Sequence, residues 1–315
     1  MSGLLDRAID LLAPLAQIDP RWALLALAFH LGNLACRATA WRNVLAAAYP
    51  NEPFSTTRVG MSYAVGVGLN GYLPARGGDA AKVGLVRMQH PDTCAVTIAS
   101  SCTVVVLFDA IVGISIFSIA WASGALPAAP HMPASVGAIV SSPGVTVGIV
   151  ALLAVGLGLL VRRFGSRIRS GLAHARQGVA VLHSPMRYAR TVLSVQSLAW
   201  CCRIGVVTCM LAAFGIPASL PLAALLVVAG GMSTIVPVPG GAGTQQALAI
   251  VLLAAVATTS HALSYSVGLQ VAVTVVNTSI GLLAAMLMFG RLHPLRALRD
   301  ATAAASMRPV AEPTA

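Results

Sequence analysis

The chain has 315 residues, 57% of them hydrophobic and 9% charged, with a mean hydropathy of +0.83. Soluble domains are about one quarter charged, so a soluble globular fold is excluded and the composition is that of an all-α, polytopic membrane protein. The net charge of +11 would suggest nucleic acid in a soluble protein; in a membrane chain it is read as arginine gathered in cytoplasmic loops, with anionic lipid as the partner and no nucleic acid.

Residues 1–19 contain Asp6, Asp10 and Asp19 and lack a compact apolar stretch, so no cleavable signal peptide is expected. Leu5, Ile9 and Leu12 share one side of a helix whose other side carries Asp6, Asp10 and Gln17, the pattern of an interfacial amphipathic helix. The main membrane domain is expected over 20–299, with a disordered tail at 300–315. The first span covers 22–41. Arg37, Trp41 and Arg42 at its end read as an interfacial belt, and His30 and Asn33 as partners in inter-helix hydrogen bonds.

The second apolar segment, 58–73, is short and glycine-rich. It ends at a break, Leu73-Pro74-Ala75-Arg76-Gly77-Gly78-Asp79-Ala80-Ala81-Lys82. A half-helix over 79–91 leads into a long span at 93–121. Another span is expected at 143–161. A basic linker over 162–191 follows, holding Arg162, Arg163, Arg167, Arg169, Arg176, Arg187 and Arg190. Spans at 192–214 and 220–236 precede a second break, Pro237-Val238-Pro239-Gly240-Gly241-Ala242-Gly243-Thr244-Gln245-Gln246. A short helix at 244–257 and a last span at 263–289 complete the pattern.

Proline and paired glycines end helices and leave backbone groups unpaired. At membrane depth that is tolerated only against protein or a wet cavity. A crossing helix needs about 20 residues, so the segments beside the breaks read as re-entrant hairpins or discontinuous helices. The loops at 122–142, 215–221 and 258–264 lack Lys and Arg, whereas the 162–190 linker and the tail are rich in Arg. The linker and C-terminus are therefore expected in the cytoplasm. Spans 93–121 and 263–289 then run in opposite directions, each after its own break, which is an inverted repeat. The side of the N-terminus is open at this stage: hairpins place it outside, a true crossing at 58–73 inside.

Asp109 and Arg203 each lie near the middle of an apolar span. Intramembrane charges face the bundle interior and pair with one another, so these two are expected to face one cavity, as a pair fixing helix register or as part of a substrate site. Gln196 and Trp200 share a side with Arg203. At the first break, Asp79 suits the first turn of the half-helix as a cap. Arg76 and Lys82 are candidates for a phosphate or for interfacial anchoring, and the one-turn spacing of Lys82 from Asp79 allows the carboxylate to hold it. At the second break, Gly240, Gly241 and Gly243 permit close backbone approach to a ligand or a helix. The N–H groups before Thr244 suit a small anion, and Gln246 offers an uncharged hydrogen-bonding group. No catalytic motif, metal-ligand spacing or nucleotide loop is visible, so no enzyme activity, cofactor or metal is expected. The six cysteines read as buried thiols.

Both breaks, together with Arg37-Ala38-Thr39-Ala40-Trp41-Arg42, resemble the lysylphosphatidylglycerol synthase transmembrane-domain family, whose members are often called flippase-like. The resemblance covers roughly 20–290. It implies a helical bundle of about seven to eight membrane segments that handles or moves a phospholipid or polyprenyl-linked glycolipid. The family commonly has glutamate where Gln246 stands and arginine where Lys82 stands. Its lysine-transferring members carry a large soluble domain after the membrane part; this chain ends soon after the last span, so lysyl transfer is not expected. The functional expectation is an inner (plasma) membrane flippase that binds the anionic headgroup of a phospholipid or polyprenyl-phosphate lipid. Arg76, Lys82 and Arg203 would hold the phosphate, and Asp79 and Asp109 would counterbalance them. The alternative is a non-transporting scaffold or partner of a glycosyltransferase or lipid-modifying enzyme.

Overall fold

Four long helices and two pairs of short ones make up the computed structural model, which describes residues 18–73, 77–123, 176–233 and 241–290. The expected helix near the N-terminus, the span at 143–161, most of the basic linker and the tail lie outside the described residues. So do Arg76 and Gly240.

Helix α1 spans Pro20–Ala48, 29 residues. Asp19 caps it, accepting from the Arg21 N–H at 2.9 Å, and Pro20 opens its first turn. It runs seven residues beyond the expected end at Trp41, because nothing between Arg42 and Ala48 breaks a helix and the next proline is Pro50. Helices α2 (Thr56–Asn70) and α3 (Gly78–Gln89) flank the first break, and α4 covers Ala95–Ala122. Helix α5 spans Pro185–Ala213 and contains a π turn at Ala189–Leu193. Helices α6 (Leu220–Ser233) and α7 (Thr244–Leu253) flank the second break. Helix α8, Thr259–Phe289, ends on Gly290, whose φ of 58° closes the C-terminus in the left-handed region. By length and composition α1, α4, α5 and α8 can each cross a membrane.

Both breaks are helical hairpins. In the first, Gln89 of α3 donates to Ser62 of α2 at 2.9 Å, and Asn70 donates to Asp79 at 3.3 Å. The two helices are therefore antiparallel. Close approach depends on two glycines: a methyl group on Gly78 would stand 2.0 Å from the Gly66 carbonyl oxygen. On its other face α2 presses Gly68 against Gly281 and the Asn277 carbonyl of α8. The second hairpin closes with Gly241 against Ser233, where a methyl group would lie 2.7 Å from Ser233 Oγ.

The order long helix, hairpin, long helix occurs twice. Pro20 and Pro185, Thr56 and Leu220, Gly78 and Thr244, and Ala95 and Thr259 open corresponding helices, about 165 residues apart each time. Gly32 lies against Cys202, Phe29 against Gly205, and Asn43 donates to the Thr191 carbonyl at 2.7 Å. Helices α1 and α5 are thus antiparallel, and the two units are inverted with respect to each other. Helix α1 pairs with α4 in the same antiparallel sense, through Trp41 with Ser101 and Arg37 with Asp109. Hairpin α2–α3 enters and leaves at the end where α1 finishes. Hairpin α6–α7 does so at the opposite end, where α5 finishes and the Phe214 carbonyl meets His261 of α8 at 2.8 Å. Buried Trp41, Phe54, Tyr63 and Ile98 fill the core of the first unit; Leu211, Phe214, Leu253 and Tyr265 fill the second.

Candidate functional site

An apolar span tolerates a carboxylate only if other groups neutralise and bond it; alone at mid-membrane it costs about 2.5–3.5 kcal/mol. Asp109 of α4 satisfies this through α1 and α5. Arg37 of α1 places Nη2 2.8 Å from Asp109 Oδ2 and donates from Nη1 to Oδ1 at 3.2 Å. From α5, Trp200 donates its indole N–H to Oδ1 at 2.9 Å. Arg203, one turn on, brings Nη1 within 3.9 Å of the same oxygen and lays its guanidinium 4.8 Å from the Trp200 ring centre. The pair expected from the sequence therefore forms, but Arg203 is its outer, looser member. The closest partner is Arg37. The side chains are 12% exposed at Arg37, 22% at Asp109 and 25% at Arg203, so the cluster opens toward Arg203.

Arg37 also donates from Nε to the Tyr63 hydroxyl of α2 at 3.0 Å. Tyr63 carries the network to the first hairpin. Lys82 Nζ lies 5.2 Å from the ring centres of both Tyr63 and Trp41, and 3.0 Å from Asp79 Oδ1. Trp41 is held in place by donating its indole N–H to Ser101 Oγ at 2.9 Å. An ammonium between two aromatic faces and a carboxylate is well satisfied, and Lys82 is buried. Asp79 sits in the first turn of α3, as expected, and its carboxylate is directed at Lys82 and Asn70.

The second hairpin brings no charge. Gly241 and Gly243 have φ of 68° and 83°, and the Gly243 N–H donates to Gln246 Oε1 at 2.7 Å. That N–H, expected as part of an anion site, is used within the hairpin. The Gln246 side-chain amide donates across to Gln270 Oε1 of α8.

Three residues of the network were not singled out from the sequence as site residues: Arg37, Trp41 and Tyr63. The first two are not an interfacial belt; Trp41 is 1% exposed and Arg37 pairs with Asp109. A signal was present. His30, Asn33, Arg37 and Trp41 recur at helical spacing and put one polar stripe down α1. Gln196, also on the α5 face that carries Trp200 and Arg203, is fully buried, and its side-chain amide has no hydrogen-bond partner among the described residues.

The connected set holds three cations (Arg37, Lys82, Arg203) and two carboxylates (Asp79, Asp109). Its most exposed member is the Arg203 guanidinium, stacked on the Trp200 indole, and such a group can hydrogen-bond an anion. Among the described residues no group of His, Cys, Asp and Glu is arranged to hold a metal ion.

No curated protein matches the chain. The model of the family described as the lysylphosphatidylglycerol synthase TM region matches residues 9–281. With its inverted helical hairpins and its match across most of its length, the chain belongs to that family of membrane proteins, associated with lipid-related processes.

Proposed function

We propose that this protein binds the phosphate of a lipid headgroup at the Arg203 end of the charged cluster and moves the lipid between leaflets. The observation that carries this reading is the cluster itself: a connected, half-buried set with one cation more than carboxylates, between helices of two inverted units. Arg203 is the most exposed of the three cations and stands 3.9 Å from Asp109, against 2.8 Å for Arg37, so an incoming phosphate can reach that guanidinium while the tight Arg37–Asp109 pair stays in place. Arg76, in the sequence of the first break, adds a further cation to the same reading. Lys82 acts here as a fixed charge, since Asp79 and two rings already enclose its ammonium.

Orientation follows from arginine. The end where α1 finishes and α5 begins carries Arg42, Arg58, Arg87, Arg187 and Arg190; the other end carries Arg21. The first end therefore faces the cytoplasm of an inner (plasma) membrane protein. Hairpin α2–α3 opens to that side, hairpin α6–α7 to the outside, and α1 begins outside.

Native mass spectrometry of the purified protein tests the binding step. Wild type should retain anionic phospholipid over phosphatidylcholine, and Arg203→Ala should lose most of that preference while keeping its fold. Equal retention by the two proteins overturns the assignment. A protein that only scaffolds a partner enzyme would hold lipid without moving it across reconstituted vesicles.

A further inference from the structure

Beside the charged cluster runs a second polar patch that the phosphate reading does not use. His30 Nε2 of α1 lies 2.8 Å from Asn277 Oδ1 of α8, and Gln246 of α7 bonds Gln270 of α8. Gln270 and Asn277 are seven residues apart on one face of α8, about 10 Å along the axis. His30 and Arg37 are separated by the same step on α1. Gly32 lies against Cys202, which sets Arg203 at the depth of His30. The uncharged patch thus begins level with the accessible guanidinium and continues toward the second hairpin.

Amides between helices in lipid often serve as glue. Two observations here point further. His30, Gln246, Gln270 and Asn277 are all partly exposed although they bridge helices. Asn33, one turn from His30, is buried with an amide oxygen that has no hydrogen-bond partner among the described residues. An orphan buried acceptor is costly, and a hydroxyl donor reaching it relieves that cost. Side-chain amides and a neutral imidazole both donate and accept, which suits hydroxyl groups and gives a second anion no counter-charge.

We infer that His30, Asn277, Gln246 and Gln270 form an uncharged subsite that takes the hydroxyl-bearing part of the headgroup whose phosphate Arg203 holds. The inference rests on the phosphate reading above and narrows its substrate to a lipid phosphodiester carrying a polyhydroxyl group, a sugar or polyol. The roughly 10 Å from Asn277 to Gln270 along α8 leaves room for a sugar or polyol beside the phosphate.

The test compares two probe lipids of equal charge in nanodiscs of phosphatidylcholine: phosphatidylinositol, whose phosphodiester bears a ring of hydroxyls, and phosphatidylethanol, whose phosphodiester bears none. Wild type should hold phosphatidylinositol about tenfold more tightly, the worth of one or two net hydrogen bonds. Asn277→Leu and Gln270→Leu should each cut that ratio to about twofold with phosphatidylethanol binding unchanged, and the retained binding itself shows that the variant is folded. A wild type without preference, an unchanged ratio in both variants, or loss of both lipids by both variants overturns the subsite. A wild type that prefers neither probe to phosphatidylcholine overturns the phosphate reading as well.

Discussion

Hairpin α2–α3 and hairpin α6–α7 occupy corresponding places in two inverted units, and each closes on a glycine pressed against the facing helix, yet only the first is charged. At the spacing that relates the units, Thr244 stands for Asp79, Ala247 for Lys82, Cys202 for Arg37 and Thr274 for Asp109. Geometry has been kept and ionic chemistry has not. The frame needs small residues where backbones touch, and both units supply them. Charges at membrane depth need partners, so they come as a complete set or not at all. The first unit, with α5, has the complete set; the second has amides and hydroxyls instead.

This difference can be broken by mutation. The largest effect is expected at Arg37. Arg37→Ala leaves Asp109 with an indole N–H and a loosely placed guanidinium, and removing one partner of a buried pair costs about 3–5 kcal/mol. Thermal unfolding in detergent should show that loss, whereas Cys202→Ala, at the corresponding place in the second unit, should stay within about 1 kcal/mol. Similar losses at both positions would mean that the charged half gains nothing from its pairing.

Next come the hairpin glycines, which should fail for different reasons. Gly78→Ala drives a methyl group into the Gly66 carbonyl and should cost about 1–3 kcal/mol by overpacking. Gly243→Ala meets open space but has φ of 83°, so its cost of about 1–2 kcal/mol is backbone strain. Gly66→Ala should lose the same hairpin contact as Gly78→Ala, giving a double variant milder than the sum; Gly78 with Gly243 should add. Measured stabilities of the two pairs decide this.

The smallest effect is expected at Gln270. Gln270→Leu removes one inter-helix hydrogen bond, worth about 0.6 kcal/mol in membrane bundles, so its melting temperature should barely move. A large drop would show that the neutral patch is structural.

Much of this could be read in advance. The hairpins were legible because Pro-Gly-Gly runs cannot continue a helix, and the long helices because apolar runs of that length leave few alternatives. Asp109 and Arg203 stood out as charges amid apolar residues. Arg37 and Trp41 did not, because Trp41 coincided with the end of a span of minimum crossing length. The helix in fact runs on to Ala48, which moves both residues inside the bundle. Tyr63 offered no local signal; its role exists only where α1 and α3 meet α2. Asp79 was placed correctly in the first turn, and its pairing with Lys82 was legible in their one-turn spacing; the enclosure of that ammonium by Trp41 and Tyr63 was not, because it depends on how the side chains of three helices settle.

The most direct measurement is translocation of a fluorescent anionic phospholipid in proteoliposomes, read by quenching from outside. Wild type should expose the labelled lipid of the inner leaflet, and Arg203→Ala, inserted and folded to the same extent, should slow that exposure at least tenfold. An Arg203→Ala protein that moves lipid at the wild-type rate would contradict the account.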